Sequence, residues 1–359
     1  MPKGDGSAVT SIPRVSVVMP AYNAGAYIDE AISSILRQTF DDFEFIIVND
    51  GSSDETPSII DKYQRLDARI HAYHQKKEGM IAALNRGCYL ATGQYIARMD
   101  ADDVSFAHRL ERQVKYAEKH PSIGVVGSWI SIEKNGSDAG IWRPPTSPKL
   151  LKWTLFFGVC VTHPSVLMRR EVIRCLGFYR PDAVHSEDVD LWLRASAITE
   201  FGNVPEVLLK YRVWEGSTSQ VLFQVRRDAH VRLLTFFIKE YLSADPPLEA
   251  VAGLRRMRVG PSLDDPRQIH LTATLVKQLY RKFMNENIMG SQERSEISWD
   301  VAKKLTRLAL MASRSDRWGF ILLLIQALRI DFRLLYPSAI IRGLERTFEQ
   351  LSLKRVIHS

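Results

Sequence analysis

The hydrophobic period of the first hundred residues switches repeatedly between two and 3.6, and that switching is what most restricts the fold. Val15-Ser16-Val17-Val18-Met19 is a short buried run stopped by Pro20, after which apolar residues recur with helical spacing at Ile28, Ala31, Ile32, Ile35 and Leu36. Phe43 to Val48 is a second strand, ended by Asn49-Asp50-Gly51-Ser52-Ser53. Thr56-Pro57 opens a helix whose apolar face is Ile59, Ile60, Tyr63 and Leu66. Ile70 to Tyr73 is a third strand, Met80 to Leu90 a third helix, and Gly93 turns the chain into Tyr95-Ile96-Ala97. Such alternation predicts an α/β fold with a mostly parallel central sheet and helices on both faces. Ligands of these sheets sit outside the carboxyl ends of the strands. The polar segments 20–25, 49–54 and 100–103 therefore converge on one crevice.

Beyond Asp103 the pattern loosens. A helix is expected over Phe106 to Lys119, a strand over Ile123 to Ile132, a loop over Gly136 to Pro148, and strands at Val166-Leu167-Met168 and Val207 to Val213. From about Ser219 the pattern is helical. We accordingly expect a flexible N-terminus (1–13), an α/β domain (14–218) and a mainly helical C-terminal appendage (219–359). The formal charge of +7 is uneven, because residues 225–359 carry 23 Lys/Arg against 14 Asp/Glu. Three cysteines form no CxxC pair, which argues against a zinc site. Residues 1–14 contain no apolar secretory core, and the apolar run near Trp318 to Leu328 is about half of the roughly 20 residues that span a bilayer. A cytoplasmic protein is expected.

Met99-Asp100-Ala101-Asp102-Asp103 crowds three carboxylates at the end of a buried strand, which is costly unless something positive binds there. Asp100 and Asp102 have Asp-X-Asp spacing, suited to a hard divalent ion that also carries phosphate, although the same tripeptide also occurs as a solvated turn. Asp50 suits either a hydrogen bond from a base N–H or a turn with Gly51. Tyr22 suits stacking on a base or a purely structural place. Glu187 and Asp188 open a helix, where acids complement the helix dipole or present a general base. His163 reads as structural.

Taken together and in order, VSVVMPAYN (15–23), QTF (38–40), FIIVNDGSSD (45–54), ALNRG (83–87), ARMDADD (97–103) and EDVDLW (187–192) resemble glycosyltransferase family 2 over about residues 14–215. The resemblance implies a GT-A fold and an inverting transfer from a nucleotide sugar, a UDP-sugar first among the donors, to a glycan or lipid-linked acceptor. By the same resemblance Asp50 binds the base, Tyr22 stacks on it, and Pro20 and Ala21 line its pocket. Asp102 ligates Mn²⁺ or Mg²⁺, Asp100 supports the ribose or the metal shell, and Asp188 is the catalytic base. One departure stands out: many relatives carry His shortly after the late Tyr-Arg pair, whereas Tyr211-Arg212-Val213 is followed here by Trp214. Either the metal shell is completed differently, or Trp214 serves the acceptor.

Two other readings are weighed. A sugar-1-phosphate nucleotidyltransferase would carry a Gly-rich, Arg-containing loop after the first strand, unlike Pro20-Ala21-Tyr22-Asn23-Ala24-Gly25. A non-catalytic nucleotide-binding protein would be expected to lack one of Asp50, Asp102 and Asp188. In the C-terminal third, Arg255, Arg256, Arg258, Lys303, Lys304 and Arg307 read as solvated helix faces or as contacts to an anionic membrane surface, with Arg317, Arg329 and Arg333 around the apolar run. No aromatic–basic platform for nucleic acid is visible.

Overall fold

Seven consecutive buried residues, Val15–Ala21, form β1. A strand buried on both faces belongs in the middle of a covered parallel sheet. There β2 (Phe43–Asp50) and β4 (Tyr95–Arg98) flank it, both parallel, and β3 (Ile70–Gln75) pairs outside β2. The right-handed crossovers such pairings need are made by α1 (Ile28–Leu36), α2 (Thr56–Leu66) and α3 (Met80–Leu90). Helix α3 lies so close to β1 that a Cβ on Gly87 would meet Val18 Cγ1 at 2.5 Å. This computed structural model describes residues 12–214, 223–258, 263–313 and 315–335.

The second half of the sheet is mixed. It contains β5 (Val104–Ser105), β6 (Ile123–Lys134), β7 (Ser137–Trp142), β8 (Leu167–Arg169) and β9 (Glu200–Val213). The strand order is β3-β2-β1-β4-β8-β6-β9-β5, with β7 paired to β6. Strand β8 is antiparallel to both neighbours, while β6 and β9 run parallel.

Two local expectations change. Helix α4 (Arg109–Lys119) starts at Arg109 rather than Phe106, because Val104 and Ser105 pair with β9 and the Phe106 N–H is bonded to the Leu208 carbonyl. The loop expected over 136–148 holds strand β7. Asn135 and Gly136 adopt φ of 49° and 78° and form the two-residue turn of a β6–β7 hairpin.

Helices α5 (Pro148–Thr154), α6 (Arg170–Cys175) and α7 (Glu187–Ala195) complete the N-terminal part. The helical part contains α8 (Phe223–Leu242), α9 (Leu248–Arg258), α10 (Pro266–Glu286), α11 (Ser291–Ala312) and α12 (Arg317–Ile330). Asp265 caps α10 ahead of Pro266, and Asp316 caps α12 through the Gly319 N–H at 2.8 Å. One hydrophobic cluster runs from Val18 and Ile96 through Trp153, Phe156 and Phe157 to Phe283, Leu305 and Leu323. Within it Trp153 is edge-on to Phe283, with ring centroids 5.4 Å apart, and donates its indole N–H to Asp300 at 2.8 Å. The expected boundary at 218/219 and the termini 1–11 and 336–359 lie outside the described residues.

Several C-terminal cations do not form a free basic face. Arg255 is buried and bonded to His230 Nδ1 at 2.6 Å, Lys304 pairs with Asp300, and Arg307 donates to the Met257 carbonyl. Among the described residues no helix is long and apolar enough to cross a membrane.

Candidate active site

The carboxyl ends of β1 and β2 are tied together by their loops. Asn23, at φ 46°, donates its N–H to Ser52 Oγ and accepts the Ser53 N–H on its side chain, both at 2.9 Å. Ala24 N–H donates to Thr56 Oγ1 at 2.8 Å, and Gly25 N–H to Asp54 Oδ2 at 2.9 Å. Asn is one of the few residues that accept the left-handed backbone this arrangement requires. Pro20 and Ala21 are buried at the end of β1, whereas Tyr22 is 45% exposed at the crevice. The Lys77 ammonium donates to the Tyr22 hydroxyl at 2.7 Å and lies 4.2 Å from its ring centroid.

Asp50 is buried and already engaged. Its Oδ1 accepts from Gln75 Nε2 and from the Glu78 N–H, both at 2.8 Å, and its Oδ2 from the Gly79 N–H at 2.9 Å. An ionised carboxylate offers about four acceptor directions, so one remains for an incoming donor. Sequence reasoning missed this cradle, since Lys77-Glu78-Gly79 carries no mark of it beyond the glycine, which adopts a φ of 95° in the structure.

The crowded charge at Asp100 to Asp103 has internal counter-ions. Arg98, buried beneath the turn, is bonded to Asp100, whose charge holds its guanidinium above the ordinary value although burial acts against it. Arg109 is fully buried and donates to the Arg98 and Val166 carbonyls at 2.6 and 3.3 Å. Burial brings it down to about 9, and the nearby Asp103 opposes the shift. Arg98 and Arg109 thus offset part of the crowded charge, while burial and the mutual repulsion of the acids still raise Asp102 and Asp103. Asp103 is fully buried, with Oδ1 on the Arg212 N–H at 2.9 Å and Oδ2 without a hydrogen-bond partner. Burial, then Asp102 and Asp100, hold it well above the ordinary carboxylate value.

Asp102 is only half-buried. Burial and the Asp100 charge push it up to about 6, against the pull of the Trp214 indole, which donates to its Oδ2 at 3.0 Å. Carboxylate oxygens of Asp100, Asp102 and Asp103 lie within 4.8 Å of one another. Hard oxygen donors of this kind suit Mg²⁺ or Mn²⁺, which bind through one or two carboxylates plus phosphate and water. Each of the three acids is engaged through one oxygen, by Arg98, Trp214 and the Arg212 N–H respectively, and the second oxygen of half-buried Asp102 fits such an ion. Trp214 does not complete the shell, because an indole N–H is a donor only.

Helix α7 brings the other acids. Asp188 is buried in its first turn, with Oδ1 accepting the Val189 N–H at 2.8 Å. Glu187 is buried with Oε2 unpartnered, and burial followed by the Asp188 charge raises it to about 7. The Arg98 that pairs with Asp100 also acts on Glu187, so the two acidic groups share one electrostatic neighbourhood. The helix is held by Arg194, which pairs with Asp190 and donates to the Leu176 and Phe178 carbonyls at 2.8 and 2.9 Å. Asn85 clamps the following segment by donating to the Tyr179 carbonyl and accepting its N–H, both at 2.9 Å. His163 is structural. It bonds the Tyr179 hydroxyl at 2.8 Å, and burial followed by Arg98 keeps its imidazole well below the ordinary value.

The sequence and the fold are similar to those of known proteins. Residues 16–177 match the model for glycosyl transferase family 2. An uncharacterized glycosyltransferase of Haemophilus influenzae is 35% identical over 242 residues, covering 64% of this chain and 75% of that protein. The chain belongs to glycosyltransferase family 2. The O-antigen biosynthesis glycosyltransferase WbnJ of Escherichia coli is 33% identical, over 64% of this chain and 90% of its own length. Among solved structures, Staphylococcus aureus TarS 1–349 with UDP-GlcNAc is similar in fold, with a TM-score of 0.55, 17% identity and 92% of each chain covered. The Pyrobaculum calidifontis mannosyltransferase PcManGT, solved with GDP-Man and Mn²⁺, gives 0.50 at 18% identity over 91% and 88%. This family 2 chain therefore has the GT-A fold and is a glycosyltransferase, which sets aside the nucleotidyltransferase and non-catalytic readings.

Proposed function

We propose that this family 2 enzyme is an inverting, metal-dependent glycosyltransferase that uses a UDP-sugar and a hydroxyl acceptor on a glycan or lipid-linked glycan. The reading is supported by Asp50 ending β2 and Asp102 following β4 at the carboxyl ends of parallel strands, and by Arg98, which pairs with Asp100, also acting on Glu187 of α7. Asp50 accepts the base N–H on its remaining lone pair, Tyr22 stacks on the base, and the backbone of Pro20 and Ala21 walls the pocket. A uracil, with a single imide N–H, suits one free acceptor direction. Asp102 holds Mn²⁺ or Mg²⁺ through its open oxygen, and Asp100, bonded to Arg98, stands beside it toward the ribose. When bound, the ion supplies positive charge for the departing diphosphate.

Asp188 takes the proton of the acceptor hydroxyl as that oxygen forms a bond to the anomeric carbon and the bond to the diphosphate oxygen breaks. One base and one displacement invert the configuration, so an α-linked donor gives a β-linked product. Polysaccharide, lipopolysaccharide or another glycoconjugate is the product class, in keeping with the O-antigen relative. The test is a panel of UDP-, GDP- and dTDP-sugars with and without Mn²⁺. Metal-dependent UDP release is expected, and equal release with chelator present would refute metal dependence.

A cytoplasmic enzyme docked on an anionic membrane face is the location this reading favours. Trp318 is 81% exposed on α12, and Ile321, Leu322 and Ile325 are exposed on the same helix beside Arg317 and Arg329. Sedimentation with anionic vesicles at low salt should carry the protein down, and loss of that binding in Trp318→Ala would place the contact on α12.

A further inference from the structure

The end of β9 grips the acidic turn at three points. The Arg212 N–H donates to Asp103 Oδ1 at 2.9 Å, the Arg212 guanidinium to the Asp102 carbonyl at 3.3 Å, and the Trp214 indole to Asp102 Oδ2 at 3.0 Å. Trp214 is itself braced, with its ring centroid 5.5 Å from that of Tyr27 at an interplanar angle of 37°. The Arg212 guanidinium lies 5.6 Å from the Tyr27 ring centroid and is paired with Glu30 and Glu133. A carboxylate on a turn rotates freely about its terminal torsion unless a donor fixes it. Here the donor is fixed by an aromatic contact and a strand.

We infer that Trp214 is a positioning residue for the metal site: it fixes the Asp102 carboxylate through one oxygen and leaves the other as the single protein oxygen that residue offers to a divalent cation. The inference rests on the metal reading above. It assigns to Trp214 an indirect role in place of ligation, and it makes Tyr27 the support of that role. Partners that orient a metal-ligating side chain are typically worth about 10–100-fold in metal affinity. Trp214, Tyr27, Glu133, Asn135 and Arg212 line a cleft of about 400 Å³, so a smaller aromatic ring at residue 214 fits without overpacking.

The full chain is titrated with MnCl₂ alone, reading free Mn²⁺ by electron paramagnetic resonance. Trp214→Phe keeps an aromatic ring beside Tyr27 and removes the indole N–H together with part of the ring, and it should bind Mn²⁺ about 10–100-fold more weakly than the wild type. Equal affinity would overturn the inference and leave the metal reading standing. A wild type that binds no Mn²⁺ would overturn both. Should Trp214→Phe fail to fold, the indole ¹H–¹⁵N spectrum of the wild type decides the matter against Asp102→Ala. One indole resonance should move when the carboxylate is removed, and an unchanged set of indole signals would overturn the inference.

Discussion

Asp50 accepts the backbone N–H of Gly79 at 2.9 Å, so the acid assigned to the nucleotide also holds the turn between β3 and α3. Affinity and stability are therefore linked at this residue. Asp50→Asn places an NH₂ where one of the bound N–H groups needs an acceptor, and an unmade buried hydrogen bond costs about 1–3 kcal/mol. We expect a lower melting temperature together with weaker UDP binding, measured by thermal unfolding and calorimetry on the same preparation. Weaker binding at unchanged stability would mean that the Glu78 and Gly79 contacts carry no energy.

Asp188→Asn keeps the shape of the first turn of α7 and removes the proposed base. Transfer should fall by about 10²–10⁴, the usual worth of general-base catalysis, while donor affinity stays within a few-fold. The readout is single-turnover transfer with donor binding measured separately. Full activity would assign the base elsewhere.

Glu187 sets a pH signature. Its carboxyl is raised to about 7 from an ordinary 4.5 by burial and the Asp188 charge. A carboxyl raised in the folded state contributes stability that is present below about 4.5 and is lost as the pH rises through about 7. The melting temperature should decline between these values, and Glu187→Gln should flatten the decline. An identical profile for the variant would exclude Glu187 as its source.

Arg98→Met leaves Asp100 without its partner beside two further carboxylates. Removing one member of a buried pair typically costs about 3–5 kcal/mol. Addition of Mn²⁺ should recover part of that loss, because a divalent cation can replace the missing charge. Thermal unfolding with and without Mn²⁺ checks both halves of the prediction.

The first four strands and three helices were legible because short apolar runs closed by turn residues, as in Val15-Ser16-Val17-Val18-Met19 before Pro20, alternate with apolar residues at helical spacing. Strand β7 was hidden by its polar composition, although Asn135-Gly136 is itself a hairpin signal. Strand β5 is two residues long and exists only because β9 lies beside it, a non-local cause that no local pattern carries. At the site, the acids stood out by type and spacing. Their supports did not: Arg98 and Arg109 looked like ordinary cations, and Gln75, Lys77 and Gly79 carried no mark of serving Asp50 and Tyr22. Trp214 was visible as a departure, but its bond to Asp102 depends on a strand more than a hundred residues away in sequence.

The two loops that frame the nucleotide crevice are bonded to each other through Asn23, Ser52, Ser53, Thr56 and Asp54. A socket assembled before its guest arrives has little ordering left to undergo, so association should be fast and carry a small entropic penalty. It also cannot remodel itself around a larger base. Choice of nucleotide would then be exercised by refusal of the wrong ring, and loosening the frame at Asn23 should broaden the range of donors admitted while weakening the hold on each.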